Sequence, residues 1–217
     1  MSNPAPVLEL RTEAICGVGP WVWLKSDYWA WEQPKQEFPL LRDKLLSHVK
    51  IRSVIVCAGG CLGMYPRLWA ENFDVVYTFE PAPLNFHCLT LNCPSPKIIK
   101  LNAALGEKAG MCSIIEGPNF NVGLHKCSED KASRPHIPVF ALDDFAFGSL
   151  DAIQLDTEGY EPLVLRGARD TIARHRPVIS VEGDVAETRM LLQDMGYREV
   201  DRVGANPDII FVPEDTT

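Results

Sequence analysis

The sequence lacks features that would place it in several specialised classes of protein. Its apolar runs stay well short of the roughly 18 residues that a membrane-spanning helix requires, and no basic stretch followed by an apolar one marks a secretory signal at its start. No two cysteines have the two-residue spacing typical of zinc ligands. The net charge is -8, so no overall basic surface for nucleic acid is expected.

What is present favours a globular enzyme-sized domain. The 217 residues are 46% hydrophobic, which is enough to bury one ordinary core. Seven cysteines, an odd number, are most simply reduced and buried thiols, and this favours a reducing compartment. We therefore expect a cytoplasmic protein without a membrane partner and with nucleic acid as an unfavoured partner.

The first 50 residues are unusually rich in aromatic side chains. Four of the five tryptophans lie in one short stretch: Trp21, Trp23, Trp29 and Trp31. Their alternate spacing predicts extended or turn segments, and the leucine spacing after them predicts a helix over residues 38–49. Aromatics this dense must be buried, so we expect residues 1–50 to be an extension packed on a main domain of residues 51–217. A lid over a pocket and a homodimer contact are the alternatives.

The main domain alternates between strand and helix patterns. Short β-branched runs predict strands over residues 53–57, 74–79, 97–101, 152–155 and 178–181. Helical patterns lie between them, over residues 66–72, 83–92, 161–175 and 186–195. A closing pair of strands is predicted over residues 198–203 and 208–212. The order predicts a Rossmann-like α/β fold, with a mostly parallel central sheet and helices on both faces.

One segment interrupts this alternation. Residues 111–115 and 137–140 read as the two strands of a β-hairpin insertion, with a long polar loop between them. Loops of this length in a compact domain are usually functional or mobile.

Polar residues follow the predicted strands, and ligands of open α/β sheets bind at these carboxyl ends. The first strand ends in a glycine-rich turn, and the others end in Glu80, Asn102-Ala103, Asp156 with Glu158, and Glu182. Four of the five ends therefore carry a group suited to holding or transforming a ligand.

The glycine turn and Glu80 together predict a site for an adenosine-containing ligand. Glycines permit a sharp turn and the close approach of a ligand. Glu80 lies 21 positions after Gly59, close to the spacing of about 20 residues for an acid that binds ribose hydroxyls. The predicted cofactor contacts in the turn and after the second strand are Cys57, Ala58, Gly59, Gly60, Gly63, Glu80 and Pro81.

The turn alone does not choose between two cofactors. In the dinucleotide pattern G-x-G-x-x-G, Ala58 stands at the first glycine. A methyltransferase turn runs acidic-x-G-x-x-x-G, and residues 57–63 match it except that Cys57 replaces the acid. A nicotinamide-dependent oxidoreductase therefore remains an alternative at this point.

From about residue 51 to about residue 212 the chain resembles the FkbM family of class I methyltransferases. The matching segments are VIVCAGGCLGMY, TFEPAPLNFHCLTLN, NAALGEKAG, FALDDF, IQLDTEGYEPLVLRGA and RPVISVE. The resemblance implies a class I methyltransferase fold, with S-adenosylmethionine between the glycine turn and Glu80 and its adenine near Asn102 and Ala103. It also implies methyl transfer to a hydroxyl of a sugar or another small metabolite.

Three positions depart from the family pattern. Cys57 stands where the family usually has Asp, Cys61 where it has Asn, and Gln154 where it often has Lys. Loss of the acid either weakens cofactor binding or is compensated by a neighbour such as Glu158. A degenerate, non-catalytic interaction module is therefore the second alternative.

The catalytic candidates follow from the chemistry of methyl transfer. Positioning supplies much of the rate of an in-line displacement, and a general base is needed only for a hydroxyl or a protonated amine. Asp156 and Glu158 match the family's acidic pair and are the preferred candidates, with His125 and Glu182 also considered; Asp156 is also expected to contact the cofactor. No metal site is predicted, and a metal-assisted reaction through Asp156 is a minor alternative.

Overall fold

The computed structural model describes residues 6–118, 120–128 and 136–214. Thirteen strands are found in these ranges: β1 (Leu8–Arg11), β2 (Trp21–Leu24), β3 (Val54–Ala58), β4 (Val75–Phe79), β5 (Ile98–Leu101), β6 (Ala104–Leu105), β7 (Gly110–Ile115), β8 (Lys126–Ser128), β9 (His136–Phe140), β10 (Ala152–Leu155), β11 (Val178–Glu182), β12 (Tyr197–Val203) and β13 (Asp208–Pro213). Six α-helices accompany them: α1 (Trp29–His48), α2 (Met64–Trp69), α3 (Pro83–Asn92), α4 (Glu161–Arg166), α5 (Arg169–His175) and α6 (Ala186–Asp194). Within the same ranges, no helix combines the length and apolarity needed to cross a bilayer.

The central sheet has seven strands in the order β12-β13-β11-β10-β3-β4-β5. Strands β3, β4, β5, β10 and β11 are parallel, whereas β13 is antiparallel to both of its neighbours. The strand order reverses between β3 and β10, which is the switch point where such sheets open a crevice for ligands. The predicted mostly parallel α/β sheet is confirmed.

Each face of the sheet is covered by three helices. Alternate residues of β3 enter opposite cores, as the pleat of a strand requires: Ile55 packs with α1, α2 and α3, and Val56 packs with α4, α5 and α6. A sheet buried on both faces explains why its strands read as nearly continuous apolar runs.

The N-terminal segment shares the core on the α1 side. Trp21, Trp23 and Trp31 are at most 5% exposed and pack in that core. Extended structure at Trp21 and Trp23 is confirmed, since both lie in β2, which pairs with β1. The extended prediction at Trp29 and Trp31 is wrong, because both lie in the first turn of α1.

Helix α1 therefore begins nine residues before the predicted start at residue 38. The buried Asp27 carboxylate accepts the backbone N–H of Ala30 at 3.0 Å and so satisfies a donor at the start of the helix. Pro34 and Pro39 lie inside the helix, where sequence rules expect a break. Burial of Trp31 and Phe38 in the core favours the continuous helix over the local preference of the prolines.

Two further predictions changed in detail. The helix predicted over residues 161–175 is two helices, α4 and α5, separated at Gly167.

The hairpin insertion is confirmed, because β7 pairs with β9 in antiparallel fashion. The loop between them adds β8 against β7, and residues 129–135 of that loop lie outside the described residues.

Candidate active site

A cavity of about 780 Å³ opens at the carboxyl edge of the central sheet. This size lies inside the range of roughly 300–1,000 Å³ that small-molecule sites occupy. Its floor comes from the ends of β3, β4, β10 and β11, and its cover comes from the region of Tyr28 and α1 and from residues near His125. The sequence-predicted strand ends therefore meet in one site.

The glycine turn after β3 is required by the fold more than by ligand access. Gly59 and Gly63 have φ values of +86° and +95°, in the left-handed region that favours glycine. A Cβ on Gly59 would lie 1.7 Å from the backbone oxygen of Asp156. The predicted sharp turn is confirmed, but at Gly59 it is the neighbouring chain, not a ligand, that excludes a side chain. Of the predicted turn residues, Ala58, Gly59 and Gly60 line the cavity, whereas Gly63 lies behind it.

Glu80 lies in the cavity wall and is held by backbone donors. It is 4% exposed, and its two carboxylate oxygens accept the N–H groups of Cys61 and Ala82, each at 2.7 Å. Burial raises the pKa of Glu80 to about 8, and the two backbone hydrogen bonds act in the opposite direction. The carboxyl group is thus fixed in place and retains lone pairs for a ligand hydroxyl.

Besides Gly63, three predicted cofactor contacts do not reach the cavity. Cys57 is 1% exposed inside β3, and Ala103 is also buried at 1%. The Asn102 amide instead donates to the carbonyl oxygens of Glu80 and Pro81 at 2.8 and 3.1 Å. The residues that line the cavity after β5 are the next two, Ala104 and Leu105. The predicted adenine contacts, Asn102 and Ala103, are therefore one or two residues too early in the chain. The sequence does not show which residues after the strand face the cavity.

Two departures from the family pattern are neighbours in the sheet. Gln154 lies opposite Cys57 in the register of β10 and β3, and the Cys57 thiol lies 3.5 Å from the Gln154 Oε1 atom. The same oxygen accepts the indole N–H of Trp69 at 2.5 Å. Both side chains are buried. A neutral pair therefore occupies the two positions where the family pattern has Asp and often Lys.

Three carboxylates converge where the β10 and β11 strands end. Oxygen atoms of Asp156, Glu158 and Glu182 lie within 4.8 Å of one another. Burial raises the pKa of Asp156 well above its usual range, and the hydrogen-bonded Glu182 raises it further. Burial and Glu182 also raise the pKa of Glu158 to about 7. The structure therefore brings the predicted acidic candidates together, and Glu158 can exchange a proton near neutral pH.

The turn that carries Glu158 is organised by a carboxylate at the start of α4. The buried Glu161 carboxylate accepts the backbone N–H and the hydroxyl of Thr157, both at 2.8 Å, and the N–H of Gly159 at 3.3 Å. This arrangement holds Glu158 at a φ of +55°, a conformation that is costly for a residue with a side chain.

His125 lines the cavity but is poorly placed as a general base. Its Nδ1 atom accepts the backbone N–H of Gly117 at 2.8 Å, so the neutral ring carries its proton on Nε2. Burial lowers its pKa, which Glu116 only partly offsets. The ring holds the loop in place, and its prediction as a catalytic base is not supported by this geometry.

Several lining residues were missed by sequence reasoning. Asp208 lies opposite Glu182 only because β13 pairs with β11 in antiparallel fashion, and burial with the charge of Glu182 raises its pKa to about 7. Among the described residues, the buried Asn85 Oδ1 and Trp23 Nε1 atoms have no hydrogen-bond partner, and both residues line the cavity. Trp23 belongs to the aromatic-rich stretch and Asn85 to the segment TFEPAPLNFHCLTLN, but only tertiary contacts bring them and Asp208 to the site.

The sheet order, the glycine turn and the buried Glu80 define a methyltransferase domain of the class I fold. The antiparallel β13 between β11 and the edge strand β12 differs from the dinucleotide-binding order 3-2-1-4-5-6, which removes the support for an oxidoreductase. The family model described as "Methyltransferase FkbM domain" matches residues 61–199. The chain belongs to this family.

Solved structures show the same fold at low sequence identity. The FkbM methyltransferase from Methylobacillus flagellatus has a TM-score of 0.51 and 19% identity over 74% of this chain, and the chain spans 43% of its length. The N-methyltransferase NodS from Bradyrhizobium japonicum has a TM-score of 0.51 and 13% identity, with 84% and 97% of the two chains covered. An rRNA methylase from Streptococcus thermophilus has a TM-score of 0.50 and 11% identity, with 82% and 96% covered. No curated protein sequence matches the chain.

Proposed function

We propose that the cavity binds S-adenosylmethionine and that the domain transfers its methyl group to a small-molecule acceptor beside Asp156 and Glu158. The observation that carries this proposal is the buried Glu80 carboxylate, which lies in the cavity wall and is fixed by the backbone N–H of the glycine turn. The family match and the position of the cavity at the switch point of the sheet support it.

The lining suits an adenosine group. Glu80 is placed to accept the ribose hydroxyls, while Pro81, Ala104 and Leu105 offer apolar surface for an adenine ring. The unpartnered Asn85 Oδ1 atom, a buried acceptor, would gain a donor from a polar ligand. We therefore propose Ala104 and Leu105 as the adenine contacts, in place of Asn102 and Ala103.

The carboxylates supply what methyl transfer requires of the protein. The cofactor brings an electrophilic methyl on a cationic sulfur, and negative charge on Asp156 stabilises such a cation. Glu158 is half-buried with a pKa raised to about 7, so it can accept a proton from the acceptor at neutral pH. A hydroxyl of a sugar or another small metabolite is the acceptor that the family resemblance implies.

A homodimer through the tryptophan-rich N-terminal segment also remains a proposal, but little of the tryptophan surface of this segment is exposed. Three of its tryptophans are internal, so Trp29 at 51% exposure is the one that remains accessible. It adjoins Tyr28, which stacks on Phe120 at 5.9 Å. Tyr28, Trp29 and Phe120 line the cavity, so a contact between copies that used these aromatic residues would lie beside it.

The first test is calorimetric titration with S-adenosylhomocysteine and, separately, with NAD. Wild-type protein should bind the first ligand and not the second. Glu80→Gln replaces a carboxyl oxygen with an amide N–H₂ that faces a backbone donor, so we expect a loss of affinity of about 10- to 100-fold. Glu71→Gln is the matched control, because Glu71 is exposed and away from the cavity.

Binding of NAD, or no binding of S-adenosylhomocysteine, would overturn the proposal. Binding of S-adenosylhomocysteine at wild-type strength by Glu80→Gln would show that the ligand lies elsewhere. A non-catalytic module is separated by incubation with labelled S-adenosylmethionine and a metabolite mixture, in which it would bind the cofactor and release no methylated product.

A further inference from the structure

Acidic side chains dominate the charge of the cavity. Seven carboxyl groups belong to its lining: Glu32, Glu37, Glu80, Asp156, Glu158, Glu182 and Asp208. Among the described residues, the same lining contains no lysine or arginine. Glu32 pairs with Lys35 at 2.9 Å, so the single net positive charge of S-adenosylmethionine would have to serve the other six carboxyl groups.

Two of these carboxylates lie on the side of the sheet away from the proposed adenosine site. Glu80 follows β4 and the glycine turn follows β3, whereas Glu182 and Asp208 lie on β11 and β13, beyond β10. Neighbouring strands are about 4.8 Å apart, so Asp208 lies roughly 14 Å across the sheet from β3. With Glu37 from α1, these two residues form what we call the acidic end of the cavity.

A buried tyrosine at the acidic end provides an independent observation. Tyr65 is 9% exposed and lines the cavity. Its hydroxyl makes no hydrogen bond with any residue that the structure describes. Burial raises the pKa of this hydroxyl well above its usual range, and the charges of Asp208, Asp156, Glu37 and Glu182 raise it further. Tyr65 is thus nine-tenths buried, and its hydroxyl is left for a polar group inside the cavity to pair with.

We propose that the acidic end binds a cationic acceptor, a primary or secondary ammonium group, and that the methyl group is transferred to its nitrogen. This inference rests on the proposed function, and it assigns an amine as the acceptor in place of the hydroxyl that the family resemblance implies. An ammonium group has donors and no acceptor, and it therefore matches a pocket of carboxylates and one aromatic hydroxyl. Beside a neutral hydroxyl acceptor the clustered carboxyl groups would keep their protons, whereas an ammonium group stabilises their ionised forms.

The reaction balances with the groups present. The ammonium nitrogen loses one proton to a carboxylate of the site, which restores its lone pair. That lone pair forms the new C–N bond as the C–S bond of the cofactor breaks, with its electron pair remaining on sulfur. The products are an N-methylammonium and S-adenosylhomocysteine. Glu158 and Asp208, whose pKa values are raised to about 7, are suited to hold the proton.

The test compares matched amines and alcohols. Protein saturated with S-adenosylhomocysteine is titrated by calorimetry with glucosamine and glucose, and with benzylamine and benzyl alcohol. We expect each amine to bind at least tenfold more tightly than its alcohol and to release protons to the buffer, because a bound cation lowers the pKa of the nearby carboxylates.

Variants locate the preference. The double variant Glu182→Gln with Asp208→Asn should still bind S-adenosylhomocysteine and should lose the preference for amines, and Asp208→Asn alone should reduce it. Glu71→Gln is the control. It removes one carboxyl group at an exposed position away from the cavity, and the preference for amines should persist in this variant.

The outcomes separate the two proposals. If S-adenosylhomocysteine binds but amines and alcohols bind equally, the cationic acceptor is wrong while the proposed function stands. If manganese chloride binds at the acidic end and amines do not compete with it, the carboxylates are a metal site and the inference is again wrong. If the wild-type protein does not bind S-adenosylhomocysteine, the proposed function is wrong, and this inference, which rests on it, is wrong as well.

Discussion

At the scale of single residues, Cys57 shows that the meaning of a side chain depends on its neighbour across the sheet. In the sequence it stands at an acid position of the cofactor turn, which suggested weakened cofactor binding. In the structure it is buried beside Gln154, below the cavity. The acid and base of the family pattern are replaced together by a neutral pair, so no unpaired charge is left inside the domain.

This pairing predicts a double-mutant cycle. Cys57→Asp alone should lower the free energy of unfolding by about 3–5 kcal/mol, because it buries an uncompensated charge. Adding Gln154→Lys should recover most of that loss, and Gln154→Lys alone should again be destabilising. Urea denaturation of the four proteins measures the coupling. Additive losses in the double variant would mean that the two side chains do not act as a pair.

At the scale of elements, close backbone approach decides where helices break. Residues 161–175 have an uninterrupted helical pattern, yet α4 and α5 are separated at Gly167. A Cβ there would lie 2.0 Å from the backbone oxygen of Gly106, in the segment that connects β6 to β7. The break is therefore set by a contact about 60 residues distant in sequence, and the local pattern does not contain it.

Gly167→Ala should accordingly destabilise the domain by about 3 kcal/mol or more, because backbone atoms cannot move aside as a flexible side chain does. Gly148→Ala is the matched control, since a Cβ there meets nothing within 4 Å. Its effect should stay within about 0.5 kcal/mol of wild type, or be slightly stabilising. Equal melting temperatures for the two variants would show that the approach of Gly106 is not a constraint.

At the scale of the whole molecule, the site places acids in the interior at a cost to stability. Burial raises the pKa values of Glu80 to about 8 and of Glu158 and Asp208 to about 7. It also raises that of Asp156. At pH values between the ordinary pKa values near 4 and these raised values, the folded state therefore binds more protons than the unfolded chain does. Stability contributed by the protonated acids is present below that window and is lost as the pH rises through it.

The protein without ligand should therefore melt at a lower temperature at pH 8 than at pH 5.5. Asp208→Asn should flatten this decline, because it removes one of the titrating groups and gains stability relative to wild type at the higher pH. Differential scanning calorimetry across this pH range tests both statements. A melting temperature that rises from pH 5.5 to pH 8 would contradict them.

Local patterns were sufficient for most of the fold. Short β-branched runs placed the five parallel strands within one or two residues, because a strand buried on both faces must be apolar along its whole length. The glycine turn, Glu80 and the pair Asp156 and Glu158 were also found from their positions at strand ends, since parallel strands deliver their carboxyl ends to one edge.

Only the tertiary structure showed which side chains share the cavity. Asp208, Tyr65 and Asn85 come from an antiparallel strand and from two helices, and no pattern in the sequence predicts that these three side chains line one cavity. The early start of α1 likewise depends on Asp27, which also accepts the backbone N–H of Val122 at 3.3 Å. Contacts between distant segments depend on how strands pair and how helices pack, and these are properties of the folded chain as a whole.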